Sequence, residues 1–145
     1  MALLNYTTKI EADKTAGEIA EMLRKGGARA VLTEYDENNE YVSSLSFKMK
    51  IGDQDVAFKL PCDWQPVLKI LEEDRKVPAS MCTRVQAVRV AWRIVHTWVK
   101  AQLAIIETKM VNTQQVFLPY MIMQDGRTLA EKVQQSPEFL LGSGE

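Results

Sequence analysis

One histidine, two cysteines, five prolines and seven glycines are all that 145 residues provide of the residue types that most often build metal centres, disulfide frameworks and phosphate-cradling loops. His96 is the only imidazole, so a histidine-rich metal site is excluded, and any Ser-His-Asp or Cys-His arrangement would have to pass through that one residue. Cys62 and Cys82 are too few for a disulfide scaffold, and together with His96 they show no zinc spacing and lack a fourth ligand. The adjacent glycines Gly26 and Gly27 fit a helix terminator, and no glycine-rich nucleotide fingerprint occurs anywhere. No run approaches the ~20 apolar residues that a membrane-spanning helix needs. Charge of one sign is also missing: 18 Lys+Arg face 19 Asp+Glu, for a formal net charge of -1, which argues against a DNA-packaging protein and against an acidic DNA mimic. What is present is a 46% hydrophobic share, far too high for a disordered chain. No linker or internal repeat divides residues 1–145, so one α+β domain is expected, with 1–13 and 137–145 loosely ordered. The opening lacks the pattern of a secretory signal, so the cytoplasm is the expected compartment, with the cysteines reduced.

The periodicities give an element order. Thr15 and Glu18 form a capping-box pattern ahead of Ala16, Ile19, Ala20 and Leu23 at helical spacing, which predicts a first helix closed by Gly26 and Gly27. Residues 30–35 suit a pleat. A polar turn over 36–40 leads into Leu45, Phe47, Met49 and Ile51, which alternate with serines and lysines. Gly52 and Asp53 make the next turn, and Val56, Phe58 and Leu60 continue the alternation up to Pro61, completing three antiparallel strands. Asp63 caps a second helix whose stripe of Trp64, Val67, Leu68 and Leu71 is expected to cover the apolar face of the sheet. Asn112 caps a short helix, residues 120–123 suit a fourth strand, and Thr128 with Glu131 opens a terminal helix. The fold expected is therefore an antiparallel sheet of three to four strands packed on helices.

The dominant feature is a stretch free of proline and glycine from Met81 to Met110, which predicts one long, mostly apolar helix. Val85, Val88, Trp92, Val95, Val99 and Ile106 form one apolar set, and Ala87, Ala91, Ile94, Trp98, Ala101 and Ile105 form another beside it. So much apolar circumference suggests burial against a second copy, with Trp92, Trp98 and Ile105 as the oligomer interface. The polar stripe of the same helix holds Arg89, Arg93 and Lys100, and the stretch carries five basic residues against one acidic residue. Such a stripe keeps a greasy helix soluble, pairs with the acidic first third of the chain, or meets phosphates. Taken as a binding surface, it makes Arg89 and Arg93 the phosphate contacts of a nucleic acid or nucleotide, with Lys100 assisting. Lys48, Lys50 and Lys59 share a wet sheet surface that could extend it. Cys62 precedes a helix whose positive end could lower a thiol pKa, although a small buried residue after Pro61 is the simpler assignment.

The order helix, three strands, helix resembles a double-stranded-RNA-binding domain in topology. The second helix, DWQPVLKILEED, is apolar and acidic where that family places lysines, and that excludes the match. The motifs GGARAV, SFKMKI, FKLP, VAWRIVHTWVKAQLAIIE and VFLPY followed by DGRT resemble a family of small uncharacterised proteins found in bacteriophages and prophages. The resemblance implies a phage setting and supplies no mechanism. The resulting expectation is a non-enzymatic accessory protein without metal or cofactor, homo-oligomeric and not membrane-bound, that binds nucleic acid or a nucleotide through its basic stripe. The competing expectation is a protein-interaction module, such as an inhibitor of a host enzyme or defence complex, or a sponge for a host signalling nucleotide.

Overall fold

The computed structural model describes residues 2–136; the expected loose tail at 137–145 lies outside them. The order is α1 (Ala12–Lys25), β1 (Ala30–Tyr35), β2 (Val42–Ile51), β3 (Gln54–Lys59), α2 (Trp64–Glu73), α3 (Arg84–Glu107), α4 (Thr113–Phe117) and α5 (Leu129–Gln135). The strands pair antiparallel in the order β1-β2-β3, an α+β architecture with helices on one face of the sheet. Alternation along β2 sends Leu45, Phe47 and Met49 inward, and Phe58 of β3 stacks on Phe47 with ring centroids 5.2 Å apart. Gly52 turns the β2–β3 hairpin at φ 63°, a conformation that costs glycine nothing. Residues 120–123 do not add a strand. They pass through a 3-10 turn, and two isolated bridges (Phe58 with Met121, Ile122 with Thr128) close off the free side of β3.

α1 and α3 together cover the sheet. Ile19 and Leu23 from α1 join Val88, Trp92, Val95 and Val99 from α3 over Leu45, Phe47 and Phe58, and Phe117 of α4 seals the same core. α2 does not cover the sheet as its stripe suggested. It lies against α3 instead, where Leu71, Val77 and Ala87 form a second cluster with Trp64, Val67 and Leu68. This is why α3 is apolar over so much of its circumference: its first four turns are clasped by α1, α2 and the sheet within one chain.

Three further expectations change. α1 starts one turn before the Thr15–Glu18 pattern, with Glu11 at its N-cap, and Thr15 is fully buried inside the helix. A Thr and a Glu three residues apart share a helix face, and here that face meets α3. The segment before α1, expected to be loose, is held: the Gln86 side-chain amide donates to Tyr6 O and Thr8 O, both at 2.9 Å, and Leu3 and Tyr6 pack on the second cluster. Finally, α3 runs unbroken for 24 residues, about 36 Å at 1.5 Å per residue, between the Thr83 cap and Lys109 at φ 67°, shorter at both ends than Met81–Met110. No helix among the described residues is long and apolar enough to cross a membrane.

Candidate functional site

The positions of α3 expected to face a ligand face α1 instead. Arg89 Nη2 donates to Glu11 Oε1 at 2.7 Å, and Arg93 Nη1 to Glu18 Oε1 at 2.8 Å. Arg93 is four-fifths buried in that seam. Of the proposed phosphate contacts, therefore, Arg89 and Arg93 are already neutralised, and only Lys100 stays exposed, with no ion pair among the described residues. Lys100 and Lys25 border a separate groove of about 660 Å³ whose walls include Met22, Leu103 and Ile106.

The seam also fixes the lone histidine. His96 Nε2 lies 3.1 Å from the Glu18 oxygen that Arg93 uses. Burial lowers the His96 pKa and the Arg93 charge lowers it further, against the opposing pull of Glu18. Contact geometry alone would suggest an ion pair. Because desolvation and a neighbouring guanidinium both penalise the imidazolium, the contact is that of a neutral ring with a carboxylate. Glu18 itself is held below the ordinary carboxylate range, first by its hydrogen bond from Arg93.

The expected oligomer interface is dispersed as well. Trp92 is 1% exposed, its indole N–H donating to Val42 O at 3.0 Å, and it belongs to the core of its own chain. Trp98 meets Phe117 and Tyr120 edge-on, with centroids 5.6 and 5.5 Å away. Of the three, Trp92 is buried, Trp98 is half-buried and Ile105 is exposed. Trp92 sits mid-helix on an apolar arc, which left its direction open between the two sides; the carbonyl at the β2 bulge decides it.

A different constellation stands out, made from residues that carry no sequence signature. A cleft of about 540 Å³ opens between the β1–β2 turn, the start of α2 and the start of α3. Trp92 and Val88 form its floor and Trp64 a wall. Arg84, in the first turn of α3, lays its guanidinium 5.2 Å from the Trp64 ring centroid and donates through Nε to the Tyr41 hydroxyl at 2.9 Å. The turn that carries Tyr41 is organised by Asp36, whose Oδ1 accepts from Glu40 N at 2.6 Å and Tyr41 N at 3.0 Å. Those backbone donors, with the Arg84 charge behind them, hold the Asp36 carboxyl below its ordinary range.

The other carboxylate oxygen is different. Asp36 Oδ2 lies 3.8 Å from Arg84 Nη2, on a side chain that is only 9% exposed, and the Asn38 amide joins the backbone groups that favour the charged form. Glu37 and Asp63 also line the cleft, which sets three carboxylates against one guanidinium. The local field thus selects a cationic or donor-rich group and disfavours phosphate.

Cys62 lies at the edge of this cleft and is not an activated nucleophile. Burial, aided by the Asp63 carboxylate, pushes its thiol up to about 12, the reverse of what the nearby helix start could have done. Cys82 points its sulfur at Leu71 O and Pro78 O, in the other apolar cluster, and both cysteines are free. Among the described residues, no three His, Cys, Asp or Glu side chains gather as metal ligands would.

No family model matches this chain, and no curated protein or solved structure matches it either. The chemistry of the cleft is therefore the strongest pointer to a ligand.

Proposed function

We propose that this chain is a non-enzymatic protein-interaction module of bacteriophage type that receives a lysine or arginine side chain of a partner polypeptide in the cleft between Asp36, Trp64 and Arg84. The observation that carries the proposal is the lining of the cleft, where Asp36, Glu37 and Asp63 set three carboxylates against one guanidinium beside the Trp64 ring. A basic side chain matches that lining: positive charge for Asp36, Glu37 and Asp63, and an aliphatic stem to lie against Trp64. The nucleic-acid alternative loses two of its three contacts to Glu11 and Glu18 and keeps only the lysine-edged groove at Lys25 and Lys100.

The test uses the tryptophans already in the cleft. A short unstructured peptide rich in arginine and lysine, titrated into the protein, should change the fluorescence of Trp64 and Trp92 saturably, and added salt should weaken the effect. Asp36→Asn should weaken binding by about threefold or more, as expected when one of three carboxylates facing a cation loses its charge. A flat peptide titration beside salt-sensitive binding of a single-stranded or duplex oligonucleotide would overturn this assignment and restore the phosphate-binding one.

A further inference from the structure

The two edges of the sheet are treated differently. β3 is closed by the bridge to Met121, with Ile122 N–H donating to Ala57 O at 2.8 Å. No segment among the described residues pairs with the outer edge of β1. Proteins normally blunt such an edge with proline, lysine or a covering segment, and β1 (AVLTEY) has only Glu34 as a charged residue. Leu32, at its centre, is 59% exposed on a face otherwise made of serines, alanines and charged side chains.

The hydrogen-bond parity of β1 follows from its end. Asp36 N–H donates to Tyr41 O at 3.0 Å, and the extra residue of the bulge, Ser43, lies on β2. The backbone groups of Ala30, Leu32 and Glu34 therefore turn to β2, and those of Val31 and Thr33 turn outward with no strand to meet. Room exists beside them: a groove of about 280 Å³ runs between β1 and α1, edged by Gly17, Ala20 and Ala28, and a Cβ added at Gly17 would meet nothing within 4 Å.

We infer that a second copy of this chain adds its own β1 antiparallel at this edge, about a two-fold axis through Leu32, to give a continuous six-stranded sheet with all helices on one side. The strand is self-complementary in that register. Val31 of each copy exchanges backbone hydrogen bonds with Thr33 of the other. Leu32 meets Leu32 at a non-hydrogen-bonded site, where Cα atoms approach to about 4.5 Å and side chains touch. Glu34, whose Oε1 accepts from the hydroxyl of its own Ser44 at 3.1 Å, falls opposite Ala30 of the other copy, and beyond that small residue lies Lys48, a charge of opposite sign. A foreign strand would satisfy the same backbone groups, but the symmetric placement of Leu32, Glu34 and Lys48 favours the chain's own copy. The pairing centres on Leu32 and shares only Tyr35, at the end of β1, with the lining of the cleft, so either proposal can fail alone.

Light scattering across the micromolar range tests it on the full chain. The native protein should approach the mass of two chains, and Leu32→Lys, which sets lysines face to face, should raise the dissociation constant about tenfold or more. Because Leu32 is exposed, the thermal midpoint of that variant should match the parent's at dilutions where both are monomeric, and only the parent's should rise with concentration, which separates loss of pairing from loss of folding. Leu32→Cys should form an intermolecular disulfide on mild oxidation, and Glu34→Cys, which faces Ala30, should not. A monomeric mass throughout, or a dimer that tolerates Leu32→Lys and leaves Leu32→Cys uncrosslinked, would overturn the inference.

Discussion

Arg93 and Arg84 leave the same helix and meet opposite fates. Arg93 enters the seam with α1, 19% exposed, and takes a full ion pair with Glu18 at 2.8 Å. Arg84 is 48% exposed, spends its donors on the Tyr41 hydroxyl and the Trp64 face, and leaves the nearest carboxylate oxygen 3.8 Å away. The seam uses its charge to join two helices, so nothing is left over for a ligand. The cleft keeps a surplus of carboxylates over guanidinium groups, and that surplus is what a cation-binding site needs.

Both regions rest on Trp92, which is the place to break the comparison most severely. Its ring fills the core beneath the cleft and its N–H holds the carbonyl of Val42 at the strand bulge. Trp92→Ala should lower the unfolding free energy by about 3–5 kcal/mol in a urea melt, and binding at the cleft should be lost with it. Trp92→Phe keeps most of the volume and orphans only the carbonyl, for a cost of about 1–3 kcal/mol.

Glu18→Gln probes the seam alone. It removes the partner of a mostly buried guanidinium while keeping the shape, and should cost about 1 kcal/mol at neutral pH, with peptide binding unchanged. The pH dependence has a definite sign. The folded-state pKa of Glu18 is lowered, so its stabilisation is present above the ordinary value of 4.5 and disappears as pH falls through the lower folded value. Parent and variant melts should therefore converge in acid. His96 adds an earlier step: the unfolded chain takes up a proton near 6.5 while the folded chain resists it, so stability falls as pH drops through 6.5 and levels off once the folded ring is protonated. A His96→Gln variant should lack that step.

Much of the fold was legible because local signals and tertiary demands coincide. The alternation through Leu45, Phe47 and Met49 forced the sheet, and the Asp63, Asn112 and Thr128 caps all form, the last two as full capping boxes. The Thr15–Glu18 box failed because the same spacing also serves α3, and Arg93 outcompetes a backbone amide for the Glu18 carboxylate. The stripe of Arg89 and Arg93 was visible as a stripe, but periodicity cannot say that Glu11 and Glu18, far away in sequence, lie opposite. The cleft was the least legible feature. Asp36 read as one polar residue in a turn, and its meeting with Trp64 and Arg84 depends on α2 docking against α3 and not on the sheet.

Asp36→Asn separates the two regions from the cleft side. The amide oxygen can still accept from the Glu40 and Tyr41 amides, so the turn should survive with a small loss of stability, while a cationic peptide loses part of the charge that selects it. The Asp36 carboxyl is held below its ordinary value of 3.8, so its stabilising share persists down to that pH and fades only in stronger acid. A pH titration of peptide affinity should therefore stay level through the range in which His96 titrates. A step at a pH below 6.5, where the folded His96 ring takes up its proton, would trace the ligand to the seam.

Lys100→Ala should have the smallest effect, and its smallness is informative. Lys100 is exposed near the last turns of α3 and forms no ion pair among the described residues, so its removal should change stability by less than about 0.5 kcal/mol. If α3 met phosphates through its stripe, Lys100 would be the one member free to do so, and an oligonucleotide titration would lose affinity and salt slope together in the variant. Unchanged titrations of both peptide and oligonucleotide would mean that the stripe's remaining lysine serves solvation only. The charge that matters for recognition would then be the negative one, around Asp36, at the opposite end of the same helix.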